Sequence, residues 1–401
     1  MLNLIQKYRH LRINLRWRKC RKRKKTLRLR VGNIASFLHE LNTRNIPYVV
    51  LRWFDEVPLT EADEASCTED IDFLIDHTRL KEIAEITSRH PGEIKCDFYS
   101  PLGKRATGYK NMPYYPPIMA NEVLDTRTLY KNAFYIPSPD LHFKSLAYHL
   151  IYHKALTSGI PSGVDSFPDP PSAKRPYREL LEQLGDSLGT PVPKPYTLIA
   201  LHHHLQKTSW SMPYDLMVRW PKEKEWMRHL AASEEKTFTT YANKLPDLIV
   251  FLLRADVTAE KTIEDATVEH ISKHFKILKS VKLNDVATQR IMRNVRGGNW
   301  IEHRNPVFVP PTLAIICHDE SPLGFEENDP RRKKYPLITN AKVLYKNDIR
   351  STINLKYPQE RHDRIVLHAS DNRLEAQHHL QAVYGDQYPE ICKTLLADIT
   401  S

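Results

Sequence analysis

Ile34, Phe37, Leu38 and Leu41 recur at helical spacing, so NIASFLHELNTRN is expected to form an amphipathic helix. PYVVLRW, from Pro47 to Trp53, is a β-branched run that predicts a strand. EDIDFLID, from Glu69 to Asp76, alternates acidic and apolar residues and predicts a second. A helix from Arg79 to Ser88 and a third strand, IKCDFYS, follow. A long helical pattern begins at Pro139-Asp140 and runs towards Ser162, and prolines then crowd the chain from Pro161 to Pro195 around one helical stretch, YRELLEQL. LIALHHHLQ and DLMVRWPKEKEWMRHLA read as helices. Beyond them DLIVFLLRAD, Lys279 to Leu283 and TLAIICHD read as strands, TIEDATVEHISKHFKIL as a capped helix, and Ile365 to Leu380 as the closing segment. The expected fold class is α/β (α+β) in two domains. Residues 1–31 form a basic amphipathic arm, 32–160 a first domain, 161–245 a Pro-rich and helical linker, and 246–390 a second domain.

Charge changes this picture in one place. The chain has 401 residues with 59 Lys and Arg against 48 Asp and Glu, yet thirteen of the basic residues fall in the first thirty and the first carboxylate is Glu40. The remaining 371 residues are close to neutral, so the excess belongs to the arm. Within it Leu2, Ile5, Tyr8, Leu11 and Leu15 lie at helical spacing among arginines. Such a segment suits an anionic membrane surface, nucleic-acid phosphates or a targeting receptor, or is a solvated arm with no partner. Five widely spaced cysteines give no disulfide framework or zinc pattern, which suggests a reducing, cytoplasmic setting. The longest apolar runs, such as Leu248 to Leu253, fall far short of the ~20 residues of a membrane span. No apolar core follows the basic start, so no secretory signal is expected, and peripheral association with the inner membrane face stays open.

Candidate chemistry starts with glycine, and with its scarcity. The twelve glycines never fall in a G-x-G-x-x-G or Walker pattern; the nearest miss, Gly103 to Gly108, is followed by Tyr109. Any phosphate must be held by other means. In a strand residues two apart share a face, so Asp70 and Asp72 project together, and IKCDFYS adds Asp97. Three carboxylates of this kind make a hard oxygen site suited to Mg²⁺ and substrate phosphates; the alternative is an ordinary solvated acidic strand edge. His142, His149 and His153 share a helix face, where buried, hydrogen-bonded histidines are favoured over a metal site. Lys154 and the SGIPS loop are candidates to line the cleft. Lys104, Arg105, Tyr109, Lys110, Tyr114 and Tyr115 are the local candidates for a nucleic-acid track, a disfavoured reading because short basic patches are weak signals.

The order helix, strand, D-x-D strand, helix and strand with one more Asp resembles the nucleotidyltransferase superfamily, which implies a mixed sheet over about residues 32–160. By that resemblance Asp70 and Asp72 bind metal and the triphosphate, and Asp97 helps to activate the acceptor hydroxyl. Where superfamily members carry Gly-Gly or Gly-Ser after the first strand, this chain has Arg52-Trp53-Phe54, and Arg52 becomes the phosphate candidate.

The closing segment IVLHASDNRLEAQHHL, a His followed by a small residue, Ser-Asp and a helix with Glu-Ala, resembles the active-site signature of nucleoside diphosphate kinases. That resemblance implies a ferredoxin-like sheet over about 246–390 with His368 as phospho-acceptor. Arg350 would be a phosphate ligand, and Arg254 stands where the family has a lysine. Ser370 or Glu375 could orient the histidine. The pattern departs from the family at Ile365, where an asparagine is usual, and at NVRGGNW, which replaces a helical hairpin.

The two resemblances together imply a Mg²⁺-dependent nucleotidyltransferase that moves a nucleotidyl or phosphoryl group from an NTP to a hydroxyl acceptor. Two alternatives stay open: a non-catalytic nucleotide-binding regulator or scaffold, and a phosphohistidine phosphotransferase acting through His368.

Overall fold

The computed structural model describes residues 4–108, 112–220, 224–295, 309–358 and 365–400. The chain divides into two units, Met1–Met212 with Trp220–Met227, and Pro213–Arg219 with Arg228–Ser401. Both are mixed α/β structures with open sheets. The division differs from the expected one. Most of the Pro-rich segment lies in the first unit and is no separate joint.

The first unit runs α1 (Leu4–Arg23), β1 (Leu27–Val31), α2 (Ile34–Thr43), β2 (Tyr48–Val50), α3 (Glu61–Ser66), β3 (Ile71–Ile75), α4 (Leu80–Arg89), β4 (Ile94–Tyr99) and α5 (Pro117–Asp125). A small hairpin, β5 (Thr128–Tyr130) with β6 (Phe134–Ile136), precedes α6 (Pro139–Tyr148), α7 (Tyr177–Leu188) and α8 (Leu198–Lys207). The sheet order is β1-β4-β3-β2. β3 and β4 are parallel and joined through α4, while β1 and β2 add antiparallel edges. Ile34, Phe37, Leu38 and Leu41 of α2 are buried with Ile83 and Ile86 of α4 and with Leu27, Leu29 and Val31 of β1. α2 and α4 cover one face of the sheet, and Asp70 and Asp72, which alternate with the core residues Ile71 and Phe73, face the other.

β1 corrects the expected arm. Residues 27–31 read Leu-Arg-Leu-Arg-Val, with the apolar members buried and the arginines turned outward, a period-2 pattern hidden inside the charge run. The arm therefore ends in the sheet, and α1 before it packs Ile13, Trp17 and Cys20 on the core.

The second unit contains α9 (Tyr214–Met217), most of α10 (Lys224–Lys244), β7 (Leu248–Arg254), α11 (Ala255–Thr258), α12 (Lys261–Ser272), β8 (Lys276–Lys282) and α13 (Asp285–Asn294). It continues with β9 (Pro311–His318), α14 (Arg331–Lys334), α15 (Tyr345–Asn354), β10 (Leu367–Ala369), α16 (Arg373–Tyr384) and α17 (Tyr388–Thr400). The expected single helix DLMVRWPKEKEWMRHLA is instead two, α9 and α10. Pro221 falls between them, and a proline inside a helix removes a backbone donor and clashes with the preceding turn. The sheet order is β10-β7-β9-β8 with every pairing antiparallel. Counted in chain order, that is fourth, first, third, second. NVRGGNW lies largely outside the described residues.

Candidate functional site

Strand register brings the three aspartates together. Asp72 of β3 sits opposite Asp97 of β4, and Asp97 sits opposite Arg28 of β1, so one row crosses three strands. Asp70, two residues before Asp72, projects on the same face. Arg28 grips Asp97 with a two-pronged contact, Nε to Oδ1 at 2.8 Å and Nη2 to Oδ2 at 2.7 Å, and its Nη2 also lies 2.8 Å from Asp70 Oδ2. Lys95 Nζ stands 3.7 Å from Asp70 Oδ1. Hydrogen bonding to Asp97 holds the Arg28 guanidinium above its ordinary range.

Asp72 is paired with Arg52, which is buried and also donates from Nη1 to Tyr114 Oη at 3.1 Å. Burial raises the Asp72 carboxyl above its ordinary range; Arg52 opposes the shift, and the neighbouring Asp97 and Asp70 add to it. A cluster of like charges that raises its own protonation in this way gains from any added cation. The donors are the hard carboxylate oxygens that Mg²⁺ takes, so the residue types fit the ion. Among the described residues, however, no three such side chains are already drawn round one point. The counter-charges are the guanidinia of Arg28 and Arg52 and the ammonium of Lys95.

The row opens into a cavity of about 720 Å³. Its walls hold six cations, Lys25, Arg28, Arg52, Lys154, Lys174 and Arg175, against the carboxylates of Glu69, Asp70, Asp72 and Asp97. Lys174 and Arg175 come from the Pro-rich segment, whose local pattern marks neither as a site residue. Arg175 donates to both oxygens of Glu56 at 2.7 Å and lies over the Trp53 ring, 4.8 Å from its centroid. Trp53 itself has φ 57, in the left-handed region. Glycine occupies that region without strain, and a bulky residue there is an outlier held by its surroundings.

The helix α6 continues into a π-helical turn, His149–Lys154, a geometry frequent at functional sites. It turns His149, His153 and Lys154 into the cavity. Tyr114 Oη is hydrogen-bonded to His149 Nδ1, and His153 stacks on the Tyr114 ring at 3.9 Å and bonds its carbonyl at 3.0 Å. A polar chain thus runs Asp72, Arg52, Tyr114, His149. Tyr114 and Tyr115 are buried, Tyr114 within the cavity wall, and Tyr109 and Lys110 lie outside the described residues.

His142 packs on Phe54, with ring centroids 4.6 Å apart. Burial, with Arg52 nearby, lowers its pKa to about 4, and burial with Arg105 does the same to His77. Both folded-state values lie below the ordinary 6.5, so the unfolded chain binds more protons between the two. The stability they contribute is complete above pH ~6.5 and is lost as pH falls through about 4, roughly 3 kcal/mol for each group. Chemical denaturation across this range is expected to show the loss, and His142→Gln to remove about half of the two histidines' share.

In the second unit, β10 places His368 opposite Leu252 with 8% of its surface exposed. Arg254 Nη2 lies 3.2 Å from His368 Nε2. An arginine can only donate, so in this hydrogen bond Nε2 is the acceptor. Attack through Nε2 would require that bond to break. Arg350 donates from Nε and Nη2 to the carbonyl of Leu367 at 3.1 and 2.9 Å. Ser370 Oγ accepts from Val250 N, and Glu375 accepts from Asp371 N. The structure thus brings Arg254, Arg350 and His368 to one strand end, with Arg254 as a hydrogen-bond partner of the ring.

Comparison of the chain with protein-family models, curated proteins and solved structures gives no match.

Proposed function

We propose that the first unit is a Mg²⁺-dependent nucleotidyltransferase that moves a nucleotidyl group from an NTP to a hydroxyl acceptor. The observation that carries the reading is the register row of Asp72 and Asp97, with Asp70 beside it, opening into a cavity rich in cations. The parallel β3-α4-β4 unit with flanking antiparallel strands supports a nucleotidyltransferase-like sheet.

Asp70, Asp72 and Asp97 would hold the ion, which when bound supplies charge stabilisation to the transferring phosphate. Arg175, Lys174 and Lys154 provide positive charge for the triphosphate in place of a glycine-rich cradle. Arg52 fixes the orientation of Asp72 and, through Tyr114, of His149. Asp97 is the carboxylate placed to accept the proton of an acceptor hydroxyl, once released from Arg28. Catalysis of this kind rests on positioning and electrostatics more than on covalent chemistry.

Arg28 and a divalent cation compete for the same oxygens of Asp70 and Asp97. Arg28→Gln is therefore expected to tighten Mn²⁺ binding by about tenfold, one lost cationic contact at a partly exposed site. Electron paramagnetic resonance of the free ion measures this without turnover. Unchanged affinity would show that the carboxylates do not receive the metal.

The second unit supports a different reading of its own. The strand order fourth, first, third, second, all antiparallel, is that of a ferredoxin-like sheet. With Arg254 and Arg350 beside His368, it favours a nucleoside diphosphate kinase-like nucleotide-binding fold. Its test is γ-labelled ATP: label on the protein that disappears in His368→Ala supports phosphohistidine chemistry. Nucleotide binding without label leaves this unit a binding module.

A further inference from the structure

α1 is a two-sided helix. Ile13, Trp17 and Cys20, spaced i, i+4 and i+7, face the body and pack on the core of the first unit. Leu4, Tyr8, Leu11 and Leu15 repeat the same spacing on the opposite side, roughly 180° round the helix at 3.6 residues per turn. Leu4 is 85% exposed, Leu11 56% and Leu15 53%, with Ile5 and Tyr8 also exposed. The helix is thus held by one apolar ridge while a second faces outward.

Cations flank the outward ridge. Lys7, Arg12, Arg16, Arg18 and Lys19 lie on or beside it, and no carboxylate precedes Glu40. Leu11 and Leu15 also form the rim of a second cavity, of about 520 Å³, whose other walls include Arg18 and Arg21 of α1, Lys81 of α4 and Arg105. Four cations and no acid line it. Apolar rim and cationic floor occur together, from three separate stretches of chain.

We propose that α1 docks this unit on an anionic phospholipid surface. Leu4, Leu11 and Leu15 enter the boundary between headgroups and acyl chains, and a lipid phosphate sits in the cavity among Arg18, Arg21, Lys81 and Arg105. A nucleic-acid duplex would neutralise the same cations but has no apolar layer to receive the exposed leucines. A bilayer receives both, because apolar burial and the attraction of each Lys or Arg to an anionic leaflet add together. Among the described residues no helix is long and apolar enough to cross a membrane, so the contact is interfacial. The inference goes beyond the nucleotidyltransferase reading and stands or falls separately from it.

The test is co-sedimentation of the full chain with phosphatidylcholine vesicles, with and without phosphatidylglycerol. Binding to the anionic vesicles is expected to exceed that to neutral ones by at least about tenfold, and Arg18→Glu/Lys81→Glu to remove most of the difference. Leu4→Ser/Leu11→Ser/Leu15→Ser should lower binding several-fold at an unchanged melting temperature, because all three side chains are exposed. Equal binding to both vesicle types overturns the proposal. So does a leucine variant that sediments like the wild type; retention of that variant by duplex DNA would assign the cations to nucleic acid.

Discussion

Asp70→Asn is expected to lower nucleotidyl transfer by about 10³-fold or more while leaving the fold intact, the scale on which losing one transition-state electrostatic contact acts. Asp70 is the clean probe of the three carboxylates because its side chain is 32% exposed, and it meets Arg28 and Lys95 at the surface. Pairs with that much solvent contribute little to stability, about 0–1 kcal/mol. Asp72→Asn would confuse the two effects, since it leaves the buried Arg52 without its carboxylate. Steady-state rates with Asp70→Asn, set beside an unchanged melting curve, separate chemistry from folding. A variant that retains wild-type turnover would remove the aspartate strand from the mechanism.

Arg52→Met should destabilise the first unit by about 3–5 kcal/mol at neutral pH, the usual result of leaving one member of a buried pair uncompensated. Arg52 holds Asp72 and the hydroxyl of Tyr114, and both partners lose it at once. The pH dependence carries the sign of the argument. Burial already raises the folded-state pKa of Asp72, and Arg52 is the main influence lowering it. Without Arg52 the pKa rises further, so the folded variant binds a proton that the unfolded chain releases. Stability from such a group is present below the unfolded pKa and is lost as pH rises through the folded one. Urea denaturation of the variant is therefore expected to show a smaller deficit in mild acid than at neutral pH. A deficit independent of pH would point to lost packing, not to an unpaired carboxylate.

How much of this was legible in the sequence depended on how far apart the partners lie. The alternation of EDIDFLID and the spacing of Ile34, Phe37, Leu38 and Leu41 are local patterns, and they led directly to β3 and α2. Asp70 and Asp72 followed from the same alternation, and Asp97 from the next strand pattern, IKCDFYS. Arg28 did not, although Leu-Arg-Leu-Arg-Val carries a strand period, because thirteen basic residues in thirty drew the reading towards charge and away from burial. Lys174 and Arg175 sit in a Pro-rich stretch whose local signal is only that of a loop. Their approach to Glu69 and Glu56 joins residues more than a hundred positions apart. The bond between Tyr114 and His149 is of the same long-range kind, and no spacing rule reaches it. The positive φ of Trp53 is likewise not announced by the β-branched strand pattern that precedes it.

The helical face of His142, His149 and His153 divides by environment. His142 is packed on Phe54 and kept neutral by burial, whereas His149 and His153 border the cavity beside Lys154. A shared face fixed direction but not environment: His142 and His149 are both buried, and the π-helical turn that begins at His149 brings His149 and His153 to the cavity wall.

The central claim is that the carboxylate row in the first unit directs transfer from the α-phosphate of an NTP. Incubating the full chain with Mg²⁺, an α-labelled NTP and a mixture of hydroxyl acceptors, and following label into product against Asp70→Asn, tests it most directly. Label transfer from the α-phosphate is expected to require Mg²⁺, to disappear in Asp70→Asn and to survive His368→Ala. Label transfer that persists in Asp70→Asn, or none from any NTP, would contradict the claim.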